Sequence, residues 1–488
     1  MKITVWIGLA VLLLLSACSG PGNPGAPTAK TDTKHEAGTG GPASAPSSAP
    51  GTANGADDSL FDDVDADEPV KLVVATYYVS EQVQAVVEAY EALHPNVEIE
   101  LHAASTSGKD LNDVMNKRDQ FIQTNNAALL AGGGPDVIEL DELPFEQYVK
   151  RGLLVDMNGL IEHDSAFDKA DYFTNIIEHA QSGDGGLYGM PMYFSLVGLF
   201  GDADAIARAG VAIDDANWTL PQFIEIAKQL QETGDYPSVL ASEPSYLLRQ
   251  LITEHYTQLV TESDGNAHFD AEAFAEMMRQ VRTMFDEGLL YNVVSNDRAS
   301  ALSAQAGRGR GVNAYFSDTY LYSLQDAIRF AGYPNTKLYA KPHAAGEDSG
   351  GYYSAVGTLG INAHSPHPRA AWEFVKFLLD DESVQSYIND HLESSPGFPL
   401  NKHVYEQQKQ QLMQDGVVKQ RGADALEIDR ALLEQVDAQL SGASHIVRGP
   451  SKLEEIVDSQ LEAFFSDQKS AEEAAAIIGN RINLLLNE

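Results

Sequence analysis

The sequence predicts an α/β protein in which open sheets are flanked by helices. Three observations carry this. The folded part opens as strand, helix, strand. Helix, loop and strand then alternate to about residue 205. A late strand at 351–362 is followed at once by an amphipathic helix at 367–381. That alternation builds parallel sheet from βαβ units, and such sheets take ligands at the carboxyl ends of their strands.

The elements follow in order. "VKLVVATYY" (70–78) is an apolar, β-branched run of the kind that forms a buried strand. "SEQVQAVVEAYEALHP" (80–95) has Ser80 as a candidate N-cap, apolar residues at helical spacing and Pro95 as its stop. "NVEIELHAA" (96–104) alternates Val97, Ile99 and Leu101 as a half-buried strand does. A helix over about 109–131 leads into "GGGPDVIELDE" (132–142), a Gly/Pro turn feeding a strand at Val137-Ile138. Residues 220 to 290 read as mostly helical. Within them "DGNAHFDAEAFAEMMRQVRTMF" joins an Asp264-Gly265 hairpin signal to Asp270 as an N-cap. Asp264 and Asn266 hint at a calcium loop, but the glycine and terminal glutamate of one are missing. The chain ends in two helices, with Ser470 capping the second.

Residues 1 to 69 read differently. Met1-Lys2 precede an apolar run from Ile3 to about Ala17, shorter than the roughly 20 residues a membrane span needs. A short basic start, an apolar middle and a small-residue end make a secretory signal peptide over 1–17. Residues 19 to 56 are mostly Gly, Pro, Ala, Ser and Thr, and "DDSLFDDVDADE" (57–68) adds negative charge. Such a segment cannot bury enough apolar surface to fold. As a coil of about 50 residues it would span on the order of 40 Å.

Composition excludes whole classes. Cys18 is the single cysteine in 488 residues, so disulfides and cysteine metal sites are out. A net charge of −39 repels nucleic-acid phosphates and anionic headgroups. There is no G-x-S-x-G elbow and no H-E-x-x-H. His364 and His367 flank Pro366 as a solvated loop pair. Carboxylate pairs for a glycosidase arise by chance among 71 acids, so nothing marks an enzyme or a cofactor.

Two resemblances sharpen the reading. "LSAC" (15–18) resembles the lipobox of bacterial lipoproteins, which implies a lipid on Cys18 and a membrane-tethered tail over 18–69. From residue 70 to 488 the chain resembles the extracellular solute-binding proteins that serve ABC importers, in their carbohydrate-binding branch. The likeness is carried in order by "GGGPDVIELDELPFEQYVKRGLLVDMNGLI", "LYGMPMYFSLVGLFGDADAIARAGV", "NWTLPQFIEIAKQL", "GTLGINAHSPHPRAAWEFVKFLLDDESVQ" and "SSPGFPLNK". It implies a two-lobed, type II-like periplasmic-binding-protein fold. Lobe one would be 70–190 plus 346–395 and lobe two 195–340 plus 396–488, with crossings near 190–196, 341–346 and 394–399. It also implies a monomer on the outer face of the cell membrane, of Gram-positive type given the long tether. Its partners would be a permease and a small carbohydrate held by hinge closure.

A sugar offers hydroxyl edges to carboxylates and ring faces to aromatics. Candidates at strand ends and crossings are Tyr77, Tyr78, Asp141, Glu142, Tyr193, Phe194, Ser195, Tyr352, Tyr353 and Phe398. In "NAYFSDTYLY" (313–322), Asp318 would bond hydroxyls and Tyr320 would stack. Trp218 and Trp372 read as structural. Two other ligand roles stay open at this point: a sensor lipoprotein of the same fold, and a binder of a cationic solute.

Overall fold

Two sheets organise the chain. The strands in order are β1 (Val70–Thr76), β2 (Val97–Ala103), β3 (Val137–Glu139), β4 (Tyr193–Asp202), β5 (Ser238–Leu240), β6 (Val260–Ser263), β7 (Asn266–Phe269) and β8 (Ala314–Leu321). They continue with β9 (Thr336–Tyr339), β10 (Gly351–Val356), β11 (Leu359–Ile361), β12 (Phe398–Pro399), β13 (Val417–Gln420), β14 (Ala423–Glu427) and β15 (Ala443–Ile446). The computed structural model describes residues 68–77, 81–104, 111–263, 266–290, 314–332, 336–344, 350–380, 397–420, 423–449 and 452–487. These residues belong to one compact unit. Cys18, Tyr78, Ser80 and the Asp264-Gly265 turn lie outside them.

The first sheet has the order β11-β3-β1-β2. β1 pairs in parallel with β2 and β3, as the opening βαβ pattern requires. Helices Glu81–Leu93 and Pro368–Asp380 cover it, and Tyr90 meets Phe374 at 5.1 Å. Trp372 is buried there and donates its indole N–H to Asp164 at 2.9 Å.

The second sheet runs β15-β10-β4-β8-β5, with β9 and β12 also on β4. It is mixed rather than parallel: β10, β8, β9 and β12 all run antiparallel to β4. β4 is ten residues long and buried along most of its length, so both its faces must be covered. One face meets the core shared with the first sheet. The other meets a helical core built from Leu220–Thr233, Pro244–Glu254, Ala271–Asp286 and the two C-terminal helices.

Local signals behave as their chemistry dictates. Asp270 accepts from the N–H groups of Glu272 and Ala273. Ser470 and Glu473 exchange side-chain and backbone bonds as a capping box. β6 and β7 pair as a hairpin up to Ser263 and Asn266. The run 351–362 is not one strand. Residues 351–356 still pair with β4, while 359–361 pair with β3 in the other sheet. The chain therefore changes sheet at Gly357-Thr358.

Candidate functional site

The passage between the sheets is built from side-by-side segments. Met190 and Leu359 exchange backbone bonds of 2.8 and 2.9 Å. Tyr193 stands opposite both Val356 and Pro399, and Leu400 donates to the Met192 carbonyl at 3.2 Å. The Asp141 carboxylate, just past β3, accepts the N–H groups of Gly357 at 2.7 Å and Thr358 at 2.9 Å. Gly357 sits at φ +65°, where a side chain would be strained. Asp141 is exposed, yet the protein around it desolvates its carboxyl and raises its pKa despite those two bonds.

Strand alternation sorts the residues expected to bind. Residues directly opposite in antiparallel strands share a face. Tyr193, Ser195 and Val197 of β4 therefore share one face with Tyr352 and Ser354 of β10 and with Tyr320 and Asp318 of β8. Phe194 and Leu196 share the opposite face with Tyr353, Leu321 and Phe398. That opposite face is core. Phe194 lies 5.3 Å from Phe173, 6.0 Å from Phe398 and 6.2 Å from Tyr353. The Tyr353 hydroxyl donates to the Ile176 carbonyl at 3.2 Å. Phe194, Tyr353 and Phe398 have no meaningful exposed surface.

The first face is graded from closed to open. Ser195 and Tyr352 are sealed. The Tyr352 hydroxyl lies 3.3 Å from His255 Nδ1, among the rings of His255, His343 and His445. Tyr193 and Tyr320 are half-buried, and burial raises both phenol pKa values. Tyr322 is 39% exposed and stacks on Tyr320, with centroids 6.3 Å apart and planes at 26°. Tyr320 and Tyr322 thus offer two near-parallel rings, one of them open to water.

Asp318 is buried within an ion-pair group. It lies 3.7 Å from the Lys341 ammonium, which also holds Glu254 at 2.5 Å. All three side chains are buried. Burial pulls the lysine pKa down, but the two carboxylates outweigh it and the net shift is upward. Tyr246 lies in the field of the same three groups and is half-buried. On the other sheet, Glu142 is paired with Arg118 at 2.5 Å. Tyr77 packs on Phe121 at 5.8 Å and donates its N–H to Glu139 at 2.9 Å.

Tyr246, Tyr322, Glu254 and Lys341 escaped the sequence reading. One signal was available: Leu247, Leu251 and Glu254 fall on a single helical stripe, so an acid stands where an apolar residue belongs. Among the described residues no group of three His, Cys, Asp or Glu side chains is placed to hold a metal ion.

Comparison with known proteins fits this geometry. The chain is similar over 86% of its length to an extracellular solute-binding protein family 1 member from Alicyclobacillus acidocaldarius. The match covers 99% of that chain, with a TM-score of 0.58 and 18% identity. A sugar transporter from Rhizobium etli, in an open conformation, matches over 84% of this chain and 98% of its own, with a TM-score of 0.56 and 19% identity. The sugar-binding protein MalE from Xanthomonas citri matches over 85% and 97%, with a TM-score of 0.57 and 17% identity. These likenesses share the two-lobed fold. The profile of the family described as "Bacterial extracellular solute-binding protein" matches residues 78–385. The chain belongs to the bacterial extracellular solute-binding protein family.

Proposed function

We propose that this protein is the carbohydrate-binding subunit of an ABC importer. It would hold its solute against the Tyr193, Tyr320 and Tyr322 face and close by bending at the segments 190–193, 357–358 and 397–400. The observation that carries the reading is the stacked Tyr320–Tyr322 pair, part open to water, on the sheet through which the chain crosses. Apolar ring faces of sugars stack on such tyrosines, and the aromatic platform costs little side-chain entropy to order. Two similar proteins described as a sugar transporter and a sugar-binding protein support the ligand class.

The reading extends to parts outside the described residues. Cys18 would carry the lipid, and residues 19–69 would tether the fold to the outer face of the membrane, within reach of a permease. The lobes would follow the two sheets, about 70–190 with 358–395 and 195–357 with 396–488, the second passage falling at 357–358. Of the residues expected to bind, Asp141 would shape the cleft wall, while Phe194, Ser195, Tyr352, Tyr353 and Phe398 would support it from within.

A thermal-shift panel of mono- and oligosaccharides tests this. A ligand at 100 times its Kd adds about 2.7 kcal/mol to stability. A saturable rise with one sugar class supports the reading. No response to any sugar, with a response to another solute, overturns it.

A further inference from the structure

We infer that Lys341 is the built-in occupant of an ammonium site formed by Glu254 and Asp318, and that it closes this cleft to cationic solutes. The inference rests on the proposal that the cleft holds the solute, and it narrows the class of solute to uncharged ones.

The chain carries 71 acidic against 32 basic residues, so its field draws cations toward any cleft. Two carboxylates converge from separate elements, Glu254 at the end of helix Pro244–Glu254 and Asp318 in β8, on the strand face that carries Tyr320. The Glu254 side chain has no exposed surface, and that of Asp318 is 4% exposed. Glu254 Oε2 and Asp318 Oδ2 are buried and find no hydrogen-bond donor among the described residues. The aromatic residues Tyr320 and Tyr246 lie within electrostatic range of both acids. Two converging buried carboxylates are a group set that recognises a primary ammonium.

That place is already taken. Lys341 bonds Glu254 at 2.5 Å and lies 3.7 Å from Asp318. It enters beside a small apolar cavity of about 20 Å³ lined by Leu199, Leu247, Leu251 and Pro342 among others. A cationic solute reaching Asp318 would have to displace a covalently tethered ammonium. A neutral, hydroxyl-bearing solute would not. Without Lys341, two desolvated carboxylates would stand unpaired, a state that a small alkylammonium can relieve.

The test uses the purified protein, its K341A variant and the double variant K341A/E254Q, all without sugar. n-Propylammonium chloride is compared with sodium chloride at equal concentration, and putrescine binding is measured by calorimetry. The inference expects K341A to melt below the parent protein and to regain melting temperature with propylammonium but not with sodium. Putrescine should bind K341A about tenfold or more tighter than the parent. K341A/E254Q should respond to the amine far less than K341A. If K341A does not fold alone, refolding with propylammonium but not with sodium supports the inference, and refolding with neither overturns it. It is also overturned if sodium restores K341A as well as the amine does, if the double variant responds like K341A, or if the parent binds putrescine as tightly as K341A. Silence toward sugars would overturn the carbohydrate reading and leave these amine results standing.

Discussion

The Asp141 carboxylate accepts the backbone N–H of Gly357 at 2.7 Å, so a side chain beside one sheet holds the point where the chain leaves the other. Its second oxygen takes the N–H of Thr358. D141A should therefore lower stability by about 1–3 kcal/mol through unmet backbone donors. D141N keeps one acceptor and should fall between. Denaturant titration reads this. Unchanged stability with lost affinity would instead make Asp141 a ligand group alone.

Face alternation on β4 predicts a split between neighbours. F194A opens a cavity in a fully buried aromatic cluster and should cost about 3–5 kcal/mol. Y322A removes an exposed ring and should change stability by no more than about 0.5 kcal/mol while weakening solute binding. Paired melting and binding curves check both.

Tyr320 and Tyr353 lead to different losses of a hydroxyl. Y353F deletes the bond to the Ile176 carbonyl and should cost about 1 kcal/mol of stability. Y320F keeps the ring that stacks on Tyr322 and should leave affinity almost unchanged, whereas Y320A should reduce it about tenfold or more. Equal losses from Y320F and Y320A would show that the hydroxyl, not the ring, meets the solute.

Acid should act through Asp164. Burial works against its charge, but Lys376 at 2.5 Å, the Trp372 indole at 2.9 Å and the Ala166 N–H outweigh it, so its pKa is lowered. A carboxylate with a lowered folded pKa contributes stability above its ordinary value near 3.8, and that contribution is lost as pH falls through the folded value. The stability gap between the parent protein and D164N should be full at pH 7 and shrink below pH 3.8. Melts across that range measure it.

The sequence made the elements legible but not the faces. Val70–Thr76, the helix that follows and Val97–Ala103 were readable because periodicity and a Pro stop mark them. "YFSLVGLF" hides which residues share a face because a strand covered on both faces shows no clean alternation. Tyr352 and Tyr353 are adjacent in sequence, yet they point to opposite faces and are both sealed. Glu254, Asp318 and Lys341 lie far apart in the chain, and only folding brings their charges together.

Calorimetric titration of the parent protein and the Y320A/Y322A variant with hexoses and linear maltooligosaccharides tests directly whether the tyrosine pair holds a sugar. The parent should bind one sugar class saturably, and the variant should lose that binding while still melting cooperatively. Full-affinity sugar binding by that variant would contradict that expectation.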